Sequence, residues 1–486
     1  MNPLPRTSGS TTIGTLAPGR GVFCNRTLNL RSIKAIGYDM DYTLIHYHVD
    51  QWEGVAYEHT RERFAARGWP VQDLRFDPHS VTRGLLIDRE LGNLVKANRF
   101  GYVIKAAHGT RVLSFDELRR TYAGTSVELS VDRFVFLNTL FSYSEACLFA
   151  QLVDLLDQDR LEGVLSYGAL YDEVRSTLDE AHSLGEMKAE IMDDPARFVV
   201  PDPETPLALL DQKHAGKSLL LITNSEWDFT RTMMTWSFDP FLPEDMTWRD
   251  LFDIVIVSAR KPSFFHDRNR LFEVTDPETG LLAPSSQGMA KGGAYFGGGA
   301  RLVETTLNLT GDEILYVGDH LFGDVHASKD IRQWRTALVL REMEREAADL
   351  YAFEPKQERL TALMREKVTL EGEISQLRLQ SQRARRHYGP PGEGPKDRKT
   401  LDREISRIRE RLVTLDEQIG PLARESSELG NATWGPLMRA GNDKSLFARQ
   451  VERYADVYTS QVSNFLHVTP FGFLRAPRSN LPHDAD

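Results

Sequence analysis

The stretch Ile33-Lys34-Ala35-Ile36-Gly37-Tyr38-Asp39-Met40-Asp41-Tyr42-Thr43-Leu44 is the one from which the rest of the chain can be read. A mostly apolar run ends abruptly in two aspartates separated by one residue, the pattern of a buried strand that delivers polar groups at its carboxyl end. Four more short apolar runs have the same character: Leu219 to Thr223, Ile254 to Ser258, Ile314 to Asp319 and Ala337 to Leu340. Separated by helical stretches, they predict an α/β fold whose core is a parallel sheet covered on both faces. Open sheets of this kind bind ligands at the carboxyl edge, where strand-end loops converge. The polar residues at these five ends are therefore the candidates for chemistry.

Composition narrows the options. With 486 residues, 41% hydrophobic and 27% charged, the chain has ordinary globular usage and length for two or three domains. A net charge of −11 disfavours nucleic acid as a partner, so phosphate chemistry must neutralise charge locally. Cys24 and Cys147 are the only cysteines, too few for a disulfide scaffold or a thiolate zinc site, and a reducing compartment is expected. Residues 1–24 read as a flexible tail without a secretory h-region. No apolar run is long enough to span a bilayer, so a cytoplasmic location without a membrane partner is expected.

The gap between the first two runs exceeds one crossover helix, which assigns 25–49 and 213–355 to the catalytic core and 50–212 to an inserted, mainly helical cap. Its helices are expected around Leu148 to Leu155 and from Leu170 to Ile191. Residues 356–428 read as a coiled-coil hairpin near the C-terminus, and 429–486 as a segment packing on core or cap. Leu401, Ile405, Ile408, Leu412, Leu415, Ile419 and Leu422 alternate steps of four and three; Leu360, Leu363, Leu370, Ile374 and Leu377 keep a similar register around Lys367. Gly389, Pro390, Pro391 and Gly392 permit reversal between them. Such a hairpin serves equally well as a dimerisation or regulatory arm, or as a hairpin packed on its own domain.

Four signals follow the strands in order. Asp39 can attack phosphorus as a covalent nucleophile and Asp41 can protonate the leaving oxygen. Thr223, Asn224 and Ser225 offer hydroxyl and amide donors to a phosphate oxygen. Lys261 supplies fixed positive charge, and Asp319 and Asp324 are hard oxygen ligands suited to Mg²⁺. Three other features are discounted. Gly216-Lys217-Ser218 lacks the glycine of a phosphate-binding loop, Gly292 to Gly299 reads as a mobile loop, and His46 with His48 as packing or cap contacts.

These segments resemble the motifs of the haloacid dehalogenase (HAD) superfamily, and DMDYTL, TNS, ARKPSFF and VGDHLFGDV are similar to those of its cytosolic purine 5′-nucleotidase family. The resemblance implies a HAD-like Rossmannoid core, with Asp39 as nucleophile, Asp41 as general acid and base, Thr223 holding the phosphoryl oxygens and Lys261 offsetting their charge. It implies Mg²⁺ bound by Asp39, the Asp41 carbonyl and Asp319, with Asp324 in support. In the cap, Arg175, Asp179 and His182 share a helix face. With Lys188 and the stacking Phe141, they match the positions that grip the base and ribose of inosine or guanosine monophosphate. Ser142 and Ser183 depart from that pattern. A nucleotide effector site would involve Gln450, Arg453 and Tyr454, but the Arg-Asp pair it also expects before Asn138 is replaced near Glu128 and Leu129.

The expected function is a Mg²⁺-dependent 5′-nucleotidase working through an aspartyl phosphate, with phosphotransfer to a nucleoside as a side reaction. Its expected partners are a purine nucleoside monophosphate and further copies of the chain, as a dimer or tetramer. The rivals are a HAD phosphatase for another small phosphomonoester and a non-catalytic interaction protein acting through the coiled-coil arm.

Overall fold

The computed structural model describes residues 17, 19–183, 185–266, 269–389 and 397–479, leaving aside the side chains of His182 and Ser183. They form two compact units, Met1–Arg345 with Leu437–Asp486, and Glu346–Pro436.

A ten-stranded sheet organises the first unit. Seven of its strands run parallel, in the spatial order Val457–Thr459, Arg335–Val339, Ile314–Gly318, Ala35–Tyr38, Ser218–Ile222, Ile254–Val257 and Ala294–Gly297. Five of these coincide with the expected apolar runs, with ends shifted by a residue or two. Every side chain of Ala35–Tyr38 and Ile254–Val257 is buried, so these strands show no alternation in sequence. Ile36 pairs with Leu219 on one side and Leu315 on the other. That register delivers Asp39, Thr223 and Asp319 to the same edge of the sheet.

Two parallel strands escape the sequence pattern. Val457–Thr459 is too short to register as a run. Ala294–Gly297 lies inside the glycine-rich stretch read as a mobile loop, and that reading is corrected: it is a sheet strand, crossed antiparallel by Leu271–Asp276. Gly297 has φ 74°, and a Cβ there would lie 2.4 Å from the Arg270 carbonyl oxygen, so the glycine serves close strand approach. At the other edge Val22–Cys24 pairs antiparallel with Val457–Thr459, so the expected tail gives way to ordered strand at residue 22.

The insertion carries the helices Val49–Ala66, Tyr143–Asp157, Tyr167–Ser183 and Glu186–Asp193. It also carries a five-stranded antiparallel sheet, from Arg111–Val112 through Val103–His108, Asn93–Ala97 and Leu86–Asp88 to Phe134–Phe136, that the sequence reading missed. The helix expected over 170–191 is two helices, the second starting after Gly185 at φ 74°. Lys217 of the discounted phosphate-loop motif is buried, its Nζ donating to the carbonyls of Leu30 (2.6 Å) and Ile33 (2.8 Å). His46 is buried with no hydrogen bond to either ring nitrogen among the described residues, and burial pushes its pKa down to about 3, consistent with neutral packing.

In the second unit, Leu360, Leu415 and Ile419 form one buried cluster with Leu363, Leu370 and Leu422. Ile374, Ile405 and Ile408 form another with Leu377 and Leu412. The apolar seam is thus consumed within the hairpin, and Lys367 reaches across to Asp416 at 2.6 Å. The expected turn lies outside the described residues from 390 to 396.

Asp456 joins the chain ends to the core. Its buried carboxylate takes Arg26 Nε at 2.6 Å, Lys329 Nζ at 2.7 Å and Arg335 Nε at 2.8 Å, with the Thr336 amide at 3.0 Å. Burial opposes its charge, but the bonds from Lys329, Arg335 and Arg26 outweigh it and hold the pKa below the usual carboxylate range. Asp456→Asn is expected to destabilise the protein by about 3 kcal/mol, because three cations lose their partner. A depressed carboxyl pKa adds stability above the unfolded value and loses it in acid. The difference in denaturation midpoint between the two proteins should therefore be full at neutral pH and shrink below about pH 4.

Candidate active site

The site is built from strand-end loops. Directly after the central strand, Asp39 accepts from the Met40 amide at 2.8 Å and meets Lys261 Nζ at 2.8 Å. Lys261 also lies 2.8 Å from Asp324 and donates to the Tyr316 hydroxyl at 3.1 Å. Its loop is tightly wound: Ser258 and Arg260 both take left-handed conformations, with φ 46° and 57°. Asn224 clamps this loop, its Oδ1 accepting the Lys261 amide at 2.7 Å.

On the neighbouring strand, Gly318 leaves the room that Asp324 occupies, since a Cβ at Gly318 would sit 2.4 Å from Asp324 Oδ2. That oxygen accepts the His320 amide at 3.1 Å. The Asp319 carboxylate accepts the Thr139 hydroxyl at 3.2 Å, while its carbonyl accepts from the fully buried Arg83 at 3.2 Å. Arg83 is ion-paired to Glu342 at 2.9 Å. Asp41 is held at both oxygens, by the Tyr47 hydroxyl at 2.6 Å and the Ser225 hydroxyl at 2.7 Å. The Thr223 hydroxyl accepts the Ser225 amide at 3.0 Å, which orders the turn.

Carboxylate oxygens of Asp39, Asp319 and Asp324 all lie within 4.8 Å of one another. Burial raises the Asp39 pKa; Lys261 opposes the shift, and Asp324 and Asp319 add to it. Burial pushes Asp319 up to about 7, with Arg83 opposing and Asp324 reinforcing. For Lys261 burial disfavours the charge, yet Asp324 and Asp39 overcome it and keep the ammonium group protonated. Three hard oxygen donors crowded in this way suit a small divalent cation.

A cavity of about 1030 Å³ opens over these groups. Of the expected residues, Asp39, Asp41, Thr223, Asn224, Ser225, Lys261, Asp319 and Asp324 line it, joined from the insertion by Phe141, Asp179 and Lys188. Phe141 packs edge-on to Tyr42, with centroids 4.8 Å apart, and to Trp52 at 5.6 Å. Lys188 Nζ bonds Glu226 at 2.5 Å. Arg175 does not line the cavity; its guanidinium pairs with the buried Glu145 at 3.0 Å and with Asp179 at 3.4 Å. The His182 side chain is outside the described residues. Six carboxylates, those of Asp39, Asp41, Asp179, Glu226, Asp319 and Asp324, face two ammonium groups in this lining. A dianionic ester would therefore need a compensating cation to enter.

Sequence reasoning missed Tyr47, Thr139, Arg83, Tyr316 and Glu226. Tyr316 lay hidden in an apolar strand. Tyr47 lies in the two-residue strand His46–Tyr47, and the others sit in the insertion or in loops, where no spacing marks them.

The profile described as 5′ nucleotidase family matches residues 22–486. A 5′-nucleotidase domain-containing protein of Dictyostelium discoideum is 27% identical, covering 97% of this chain and 76% of its own length. Human 5′-nucleotidase domain-containing protein 2 is 26% identical, covering 96% and 85% respectively. Among solved structures, an archaeal β-phosphoglucomutase from Pyrococcus sp. strain ST 04 aligns with TM-score 0.28 and 12% identity over 63% of this chain and 86% of its own. A HAD phosphatase from Thermococcus onnurineus aligns with TM-score 0.24 and 14% identity over 64% and 87%. With a family match running from the first edge strand to the C-terminus, and four strand-end motifs converging on one cavity, the chain belongs to the 5′-nucleotidase family of phosphoric monoester hydrolases.

Proposed function

We propose that this protein is a Mg²⁺-dependent 5′-nucleotidase that hydrolyses purine ribonucleoside 5′-monophosphates, with inosine and guanosine monophosphate preferred. The observation that carries this reading is one cavity lined both by Asp39, Asp41, Thr223 and Lys261 and by Phe141, Asp179 and Lys188. Its volume is large enough for a nucleotide.

In the proposed reaction Asp39, oriented by the Met40 amide and Lys261, attacks phosphorus while the bond to the ester oxygen breaks. Asp41 donates its proton to the leaving 5′-oxygen, held in place by Tyr47 and Ser225. The resulting carboxylate then takes a proton from water, which attacks the aspartyl phosphate, releases phosphate and restores Asp39. Thr223 and Lys261 hold the phosphoryl oxygens through both steps. Asp39, Asp319 and the Asp41 carbonyl, supported by Asp324, would hold Mg²⁺, whose charge would offset that of the phosphoryl group. A nucleoside hydroxyl in place of water would accept the same phosphoryl group, giving phosphotransfer. Phe141 offers an aromatic face for the base, and Asp179 and Lys188 offer an acceptor and a donor to its ring N–H and carbonyl groups.

A second reading, a phosphatase for another small monoester, draws support from Arg175, which is engaged by Glu145 instead of lining the cavity. Rates on inosine, guanosine and adenosine monophosphate and on ribose 5-phosphate separate the two. The first two are expected to exceed ribose 5-phosphate in kcat/KM by about tenfold or more. Equal rates on ribose 5-phosphate would remove base recognition. Chelation of divalent cations is expected to abolish hydrolysis and added Mg²⁺ to restore it. Asp39→Asn should lower kcat by at least about 10³-fold with the melting temperature preserved. Turnover retained in that variant would exclude the covalent route.

A further inference from the structure

A second cavity, of about 690 Å³, lies beside the helix Trp227–Phe238. Trp227, Trp236 and Trp248 line it, three of the seven tryptophans in the chain. The Trp227 and Trp248 rings stand 6.2 Å apart, inclined at 51°. Trp227, Arg231 and Thr235 recur every four residues along the helix and line it together with Thr232 and Trp236.

Its polar groups define what it could take. Arg231 is paired with Glu278 at 2.8 Å, while its buried Nε has no acceptor among the described residues. The Arg249 guanidinium is engaged by the carbonyls of Phe252, Gly292 and Gly293. Asp239 uses Oδ1 to accept the Trp248 amide. Both guanidinium groups are therefore engaged, and the two lining carboxylates, Asp239 and Glu278, have acceptor capacity beyond the single bonds named. That balance disfavours phosphate and suits an uncharged planar heterocycle whose N–H groups meet the carboxylates and whose carbonyl meets the one unpartnered donor, Arg231 Nε. Indole faces supply the stacking surface.

The two cavities border the same two helices. The Trp227–Phe238 helix begins after Glu226, which accepts Lys188 in the catalytic cavity. Lys188 lies one turn before Met192 on the helix Glu186–Asp193, and Met192 lines the second cavity. A molecule seated there would contact both helices that hold the Lys188–Glu226 pair.

We propose that this tryptophan-lined cavity is a binding site for a nucleoside without its phosphate. This rests on the proposed nucleotidase reading, under which a nucleoside is the product. The test titrates the full-length protein with inosine, following tryptophan fluorescence and calorimetry, in the wild type, Trp236→Ala, Thr232→Phe and Phe141→Ala. Inosine is expected to quench the fluorescence and to bind at least tenfold more weakly to Trp236→Ala and to Thr232→Phe, which fills the space. Hydrolysis of inosine monophosphate without added inosine should be unchanged in both, and calorimetric binding should persist in Phe141→Ala. Unchanged inosine affinity in Trp236→Ala and Thr232→Phe, or no inosine binding to the wild type, overturns the proposal. Binding lost only in Phe141→Ala would place inosine in the catalytic cavity, overturning the second site and leaving the nucleotidase reading intact. Inosine binding that depends on Trp236 in a protein without nucleotide hydrolysis would instead overturn the nucleotidase reading and leave this site standing.

Discussion

Crowding of like charge at a buried point is the constraint on which this molecule turns. Asp39, Asp319 and Asp324 gather within 4.8 Å, and Lys261 bridges two of them. Desolvating such a group costs several kcal/mol per ion unless each charge is paired. The surroundings reflect that cost. Gly318 gives up its side chain to admit Asp324, Tyr316 accepts from Lys261, and Arg83 is buried to reach the Asp319 carbonyl. Stability alone would favour apolar side chains at these positions, so a cluster of this kind marks a functional site.

The insertion contributes by supplying partners to the core's loops. Thr139 bonds Asp319 and Arg83 reaches its carbonyl, and the aromatic group of Tyr42, Tyr47, Trp52 and Phe141 closes over Asp41 and its hydroxyl partners. The insertion thus supplies both bonds that order a core carboxylate and side chains that line the cavity over it. The Lys188–Glu226 pair extends this wiring from the insertion to a core helix, and through that helix to the tryptophan-lined cavity.

Much of this was legible before any coordinates. The five apolar runs ending in polar residues located the strands and the sheet edge where those polar residues gather, because a strand buried on both faces must be continuously apolar and its last residue is the first free to carry charge. The hairpin was equally legible: Leu401 through Leu422 repeat in threes and fours, and those leucines and isoleucines meet their partners. The five-stranded sheet of the insertion was not, since Leu86–Asp88 and Phe134–Phe136 are three residues each and pair only through contacts distant in the chain.

The amino-acid sequence by itself determined which polar side chains close the buried strands and in what strand order, because an apolar run and the polar residue that ends it are local features. Only the tertiary structure decided how those groups are shared. It turned Ser225 toward Asp41, set Asn224 against the Lys261 loop, drew Arg175 to Glu145 and made a sheet strand of Ala294–Gly297. Each of those outcomes depends on the nearest partner across space, and a hydrogen bond or ion pair between residues far apart in the chain leaves no trace in their local pattern.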